Sequence, residues 1–213
     1  MAHEQPARRS TTEHIIVSDK DGTRTIIMSR PETRNFLTEE MCLAMSDVID
    51  SAQSDSVVRC LVLAGRSGVF TSGSESPKGA IHLLRSLENN QKPIVAAVGG
   101  PAVGVGTSMV FHCDFVVAAV TATFSLPLAP DGRVAEEPSG PFVPQTLGHQ
   151  RAFAMLVMGQ SIGAEEARKA GFVNLVVPVG HSRVEAQNVA RQICELPAEA
   201  VAITRKLLKQ PAG

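Results

Sequence analysis

No stretch of the chain concentrates charge of one sign. Its 213 residues hold 20 lysines and arginines against 21 aspartates and glutamates, a formal net charge of -1, and the doublet Arg8-Arg9 is too little to make a basic patch. A nucleic-acid surface needs dense positive charge to face phosphates, so that partner class is excluded. Apolar runs of about 20 residues are lacking as well, which excludes a spanning helix. Met1 to Glu13 is polar and has no hydrophobic signal core. It reads as a disordered tail, residues 1–13, on a soluble and cytoplasmic protein.

Metal-binding spacings are missing. Cys42, Cys60, Cys113 and Cys194 lie far apart with no CxxC between them, and they read as buried small hydrophobes in a reducing compartment. The histidines His3, His14, His82, His112, His149 and His181 include no i, i+4 pair. His112, after an apolar helical run, reads as a packed or capping residue. No metal and no cofactor is expected. GxGxxG after a strand, GxxxxGK[ST] and a GxSxG frame around Ser74 or Ser108 are also absent. Their absence removes the dinucleotide fingerprint, the phosphate loop and the serine-nucleophile elbow.

What is present is the pattern of one large α/β domain. The chain is 44% hydrophobic and 19% charged, enough for a substantial core. His14–Val17 and Thr23–Met28 are β-branched runs around Asp21-Gly22, a hairpin signal. Thr38 with Glu39-Glu40 starts a helix in which Met41, Met45, Val48, Ile49 and Ala52 recur at helical spacing. Val57–Ala64 is near-continuously apolar, as in a strand covered on both faces. A Gly/Ser-rich loop, Gly65 to Gly79, and a helix from Ala80 to Asn89 follow. Lys92 to Leu128 reads as strand, glycine turn, helix and strand. Ala129 to Pro144 is irregular. Helices over Gln150–Met158 and Ala164–Ala170, a strand over Val173–Val177, and helices over Arg183–Glu195 and Ala198–Lys209 complete the chain.

Two places could carry chemistry. Gly104-Val105-Gly106 opens an apolar helix, where glycine permits close approach and unpaired N–H groups face outward toward an anion or a developing oxyanion. Structural glycines in a tight turn explain the same motif. Among the loop acids Glu75, Asp131, Glu136 and Glu137, the pair Glu136-Glu137 stands among Val134, Ala135, Pro138, Pro141, Phe142 and Val143. That setting favours a raised carboxyl pKa and proton transfer.

The order of the segments MSRPETRNFL, VVRCLVLAG, VFTSGSE, KPIVAAVGGPAVGVG, CDFVVAAVTATFSLP and GQSIGAEEARKAGFVNLVVP resembles the crotonase superfamily, the enoyl-CoA hydratase and isomerase family. The resemblance runs from about His14 to Leu208. It implies a crotonase-like ββα spiral core over 14–180 and a C-terminal helical segment over 181–213 that assembles a homotrimer or a dimer of trimers. It implies an acyl-CoA thioester as ligand, with coenzyme A part of the substrate rather than a cofactor.

By the same resemblance the backbone N–H groups of Ser74 and Val105 form an oxyanion hole. Arg34 lies near the coenzyme's phosphates, Ser72 and Gly73 lie over its adenine and pantetheine, and Gly104 belongs to the turn. The two glutamate positions of the hydratases hold Ser108 and Leu128 here, which argues against hydration. Nine positions after Pro127 stands Glu136, matching the single acid of the Δ3,Δ2-enoyl-CoA isomerase branch, with Glu137 as an alternative acid. The expected function is therefore an isomerase-like proton shuttle. The alternative is a catalytically degenerate member that binds acyl-CoA or a partner without turnover.

Overall fold

The computed structural model describes residues 13–130, 132 and 142–209. Strand β1 (Ile15–Lys20) turns through Asp21 and Gly22 into β2 (Thr23–Met28). Both turn residues have positive φ, 50° and 78°, the geometry that a two-residue hairpin with right-twisted strands demands. Helix α1 (Glu39–Ser54) is capped by the Thr38 hydroxyl, which accepts from the Met41 N–H at 3.1 Å. It buries Met41, Met45, Ile49 and Ala52 of the expected stripe.

Strand β3 (Cys60–Gly65), helix α2 (Pro77–Asn89) and strand β4 (Ile94–Val98) come next. Helix α2 begins three residues before the expected Ala80, because the Ser76 hydroxyl accepts from the Gly79 N–H at 3.1 Å and Pro77 fits the first turn. The glycine-rich stretch then gives β5 (Ala102–Val103), α3 (Val105–Phe111), β6 (Phe115–Ala119) and β7 (Thr123–Ser125). After it come α4 (Phe142–Leu147), α5 (His149–Leu156), β8 (Ile162–Gly163), α6 (Ala164–Lys169), β9 (Leu175–Val177), α7 (Ser182–Glu195) and α8 (Ala198–Leu208). Residues 142–144, expected to be irregular, are the first turn of α4.

The main sheet has the order β1-β2-β3-β4-β6-β9, parallel except for the opening hairpin. Its central strands are apolar on both sides for a physical reason. Leu61, Leu63, Ile94, Ala96 and Val98 face the core shared with α1, α2 and α3. Cys60, Val62, Ala64, Val95, Ala97 and Val117 face Ala186 and Ala190 of α7. Burying each such leucine or valine is worth about 1.5–3 kcal/mol, and a strand covered on both faces has no polar position to alternate. The fold is mixed α/β with a parallel sheet, as expected. A second sheet, β5-β7-β8, stands apart from the first, and β5 carries the glycine turn.

Among the described residues no helix is long and apolar enough to cross a membrane. No cluster of three or more His, Cys, Asp or Glu that could hold a metal ion is found among them either.

Candidate active site

Asn35 is the hub from which the site is built. It is fully buried and holds a positive φ of 57°, a conformation that asparagine tolerates better than most residues. Its side-chain carbonyl accepts from the Arg30 N–H at 2.9 Å. Its amide donates to the carbonyls of Arg66 at 3.0 Å and Val69 at 2.9 Å, with Phe70 at 3.4 Å. The loop after β3 is thereby tied to the loop before α1. Thr71 extends the knot, its hydroxyl lying 2.6 Å from the Asn35 carbonyl and accepting from the Gly73 N–H at 3.2 Å.

From Thr71 the loop is zipped on two sides. On one side Phe70 N–H and Thr71 N–H donate to the Pro101 carbonyl at 3.0 and 3.3 Å, and Val103 N–H donates to the Thr71 carbonyl at 3.0 Å. On the other, Leu37 N–H donates to Gly73 at 2.9 Å and Glu75 N–H to Leu37 at 3.0 Å. The glycine turn is fixed in the same way. Gly104 N–H donates to Ser125 at 2.8 Å, and the Thr107 hydroxyl lies between the carbonyls of Ala102 (2.8 Å) and Ser125 (2.9 Å). Gly104 itself takes φ 56° and ψ −119°, a combination that only glycine adopts without strain.

Two N–H groups are left over. Gly73 and Glu75 spend theirs on the zipper, while the Ser74 N–H between them has no acceptor among the described residues. Val105 is the first residue of α3, so its N–H has no intrahelical partner. Both residues line one cavity of about 170 Å³, with Ser72, Gly73, Gly104, Phe36, Pro77 and Ala80 also in its wall. The Ser74 hydroxyl is engaged with Ser76, accepting from its N–H at 3.3 Å, so Ser74 offers its backbone. Cys42 lies 3.8 Å from that hydroxyl. Burial pushes its thiol pKa up, which leaves it a packed hydrophobe rather than a nucleophile.

Arg34 is exposed and does not line the cavity. It joins the rim through its carbonyl, which accepts from the Ser72 N–H at 3.1 Å. Glu136 and Glu137 lie outside the described residues. No charged side chain lines the cavity among the described residues. Ser108 and Leu128 are both buried. His112 caps α3, packs edge-on against Phe142 and has its pKa pushed down to about 4, mainly by burial.

Sequence reasoning did not single out Phe36, Pro77 or Ala80 as cavity wall, nor Asn35 as the hub. The signal for Phe36 was an aromatic ring inside an otherwise polar loop. For Asn35 there was no signal, because its side-chain partners are all main-chain groups.

Two unengaged backbone donors on one small cavity, with no charged side chain in its wall among the described residues, suit an oxygen that gains negative charge during a reaction. Residues 19–212 match the family model described as enoyl-CoA hydratase/isomerase. The chain belongs to that family.

Its relatives include the 4-chlorobenzoyl coenzyme A dehalogenase-2 of an Arthrobacter species, 30% identical over 94% of this chain and 79% of the relative. The enoyl-CoA hydratase ACTT3 of Alternaria alternata is 30% identical over 89% and 70%. Among solved structures, the enoyl-CoA hydratase/isomerase of Pseudoalteromonas atlantica T6c superposes with a TM-score of 0.87 at 30% identity, covering 92% of this chain and 82% of that one. OdaA of Pseudomonas aeruginosa gives 0.87 at 31%, covering 94% and 86%.

Proposed function

We propose that this family member acts on an acyl-CoA thioester as a Δ3,Δ2-enoyl-CoA isomerase-like proton shuttle. The observation that carries the reading is the pair of unengaged N–H groups, Ser74 and Val105, on one cavity. The thioester oxygen sits between them. Glu136 removes a proton from C2, the electron pair flows onto the thioester oxygen as an enolate conjugated with the C3–C4 double bond, and the same carboxyl returns the proton to C4. The double bond moves from C3–C4 to C2–C3, and the carboxylate is restored. Each backbone donor is worth about 3 kcal/mol to such an oxyanion. One carboxyl suffices, which accords with Ser108 and Leu128 at the positions where a hydratase carries its two glutamates.

Incubation with a 3-enoyl-CoA should yield the conjugated 2-enoyl ester, followed by its absorbance. Glu136→Gln should slow the reaction by about 10² to 10⁴-fold, the usual worth of a positioned general base. Full activity in that variant removes the proposed role. If Glu137→Gln is the variant that loses activity, the neighbouring carboxyl is the shuttle.

Ser108 and Leu128, standing where a hydratase carries its two glutamates, support a second reading, a degenerate member that binds acyl-CoA or a partner without turnover. Calorimetric binding of a thioester with no product formed selects it. Assembly follows the same reading. Helix α8 leaves Ile203, Leu207 and Leu208 exposed at 54, 62 and 80%, an apolar ridge suited to a homotrimer or a dimer of trimers, which light scattering on the purified chain measures.

A further inference from the structure

Helix α2 borders two cavities that share no residue. Pro77 and Ala80 belong to the wall of the oxyanion cavity. On its other side α2 meets α1 across a groove of about 370 Å³, lined by Glu39 and Leu43 from α1 and by Lys78, Ile81, His82 and Arg85 from α2. Gly79 brings the two helices together at the start of this groove, since a Cβ there would stand 3.3 Å from the Cα of Glu39 and from the Cβ of Cys42.

The groove is basic and accessible. Lys78, His82 and Arg85 recur at i, i+4 and i+7, so they share one face of α2 and extend over two turns, about 10 Å along the axis. All three are exposed. None of the ion pairs among the described residues uses them. The acid in the groove wall, Glu39, is already engaged by the Ser76 hydroxyl, which donates to it at 3.0 Å. Between these charges lies apolar surface, Leu43 at 41% exposure and the half-buried Ile81.

We propose that this groove docks a small acidic helical protein that carries the acyl thioester on a tether. A free phosphate would engage a cation or two and leave Leu43 and Ile81 in water. An amphipathic acidic helix covers the whole surface, with its apolar residues on Leu43 and Ile81 and its carboxylates against Lys78, His82 and Arg85. The first turns of α2 serve both cavities, so a partner held on Lys78 and His82 stands beside the wall formed by Pro77 and Ala80, where its tethered thioester is delivered. The inference rests on the thioester reading of the oxyanion cavity, not on the isomerisation step.

The test is calorimetric titration of the full chain with two probes, an acidic acyl carrier protein bearing a butyryl thioester on its phosphopantetheine arm, and butyryl-CoA. The natural chain should bind the loaded carrier, severalfold more weakly when salt is raised from about 50 to 300 mM. Lys78→Glu combined with Arg85→Glu should weaken the carrier at least about tenfold, because each exchange turns an attraction into a repulsion. Butyryl-CoA should change by less than about twofold in the same variant, which also verifies that it is folded. Equal losses for the two probes would place the coenzyme's phosphates rather than a protein in the groove, and overturn the inference. An unchanged carrier affinity in the variant overturns it too. A carrier that does not bind while butyryl-CoA does overturns the inference and leaves the thioester reading standing, and binding of neither probe overturns both.

Discussion

A Cβ on Gly106 would fall inside the methyl group of Thr71. The loop bearing the Ser74 N–H and the helix bearing the Val105 N–H are held at a separation that only a glycine allows. Thr71 cannot retreat, because its backbone is paired with Pro101 and Val103 and its hydroxyl with Asn35 and Gly73. Gly106→Ala must therefore push α3 away from the loop. The expected cost is about 2 kcal/mol, typical of overpacking a tight contact, read by urea denaturation. The loss in thioester affinity should exceed tenfold, because both donors depend on this spacing. Unchanged thioester affinity in a destabilised variant would show that the two donors do not act together.

Asn35 offers a test of the hub. Its amide faces the carbonyls of Arg66, Val69 and Phe70, so Asn35→Asp places an acceptor where a donor is required. Ionisation of the introduced carboxyl in that buried setting is unfavourable, and its folded-state pKa lies above the value of about 3.9 in an unfolded chain. The folded state then holds the proton more tightly, so the variant is least destabilised at low pH and loses stability as pH rises from about 4 through the folded pKa. Asn35→Ala, with no titratable group, should be destabilised by about 2–3 kcal/mol at every pH. Parallel pH dependences for the two variants contradict this account.

What the sequence showed and hid follows from where the information sits. The long elements were legible because their periods are: the α1 stripe of Met41, Met45 and Ile49, and the unbroken apolar run of β3, which reports two covered faces. Strands β5 and β8 have two residues each and no period at all. They exist only through their pairing with β7. The donors at Ser74 and Val105 are main-chain atoms: the glycine turn pointed to outward N–H groups beside Val105, while Ser74 came only through the family resemblance. The Asn35 hub was hidden for the same reason, since it binds carbonyls that every residue has. Phe36 and Ala80 became cavity wall only once α2 was seen to begin at Pro77.

Arg205 holds α8 in place. It is the only residue that the helix buries, and its guanidinium reaches Asp114 at 2.8 Å and the Asn90 carbonyl at 2.6 Å. Asp114 is exposed and stays hydrated when its partner is removed, so the cost is that of the buried guanidinium's hydrogen bonds, about 1–3 kcal/mol. Arg205→Ala should therefore release α8 and expose Lys206 to trypsin well before the core is cut, while Cys60 and the rest of the α7-side cluster stay protected. Asp114→Asn keeps a weaker hydrogen bond and should fall between the two. If Arg205→Ala is as resistant as the natural chain, the apolar contacts of α8 suffice without the ion pair.

His112 sets the response to acid. It is 2% exposed, and burial, with a smaller contribution from the positive charge of Lys209, lowers its pKa to about 4. The ordinary histidine value of about 6.5 applies in the unfolded chain. As pH falls below about 6.5 the unfolded state takes up the proton first, so stability declines between about 6.5 and 4 and levels off once both states are protonated. The total is about 3 kcal/mol at most, at 1.36 kcal/mol per pH unit. His112→Leu fills a similar volume, relieves the unpartnered Nε2 and cannot titrate. The difference in unfolding free energy between the variant and the natural chain should therefore grow in the variant's favour as pH drops from about 7 to 4, and stay constant above pH 7. A difference that is flat across that window would mean that His112 keeps its ordinary pKa of about 6.5 in the folded chain.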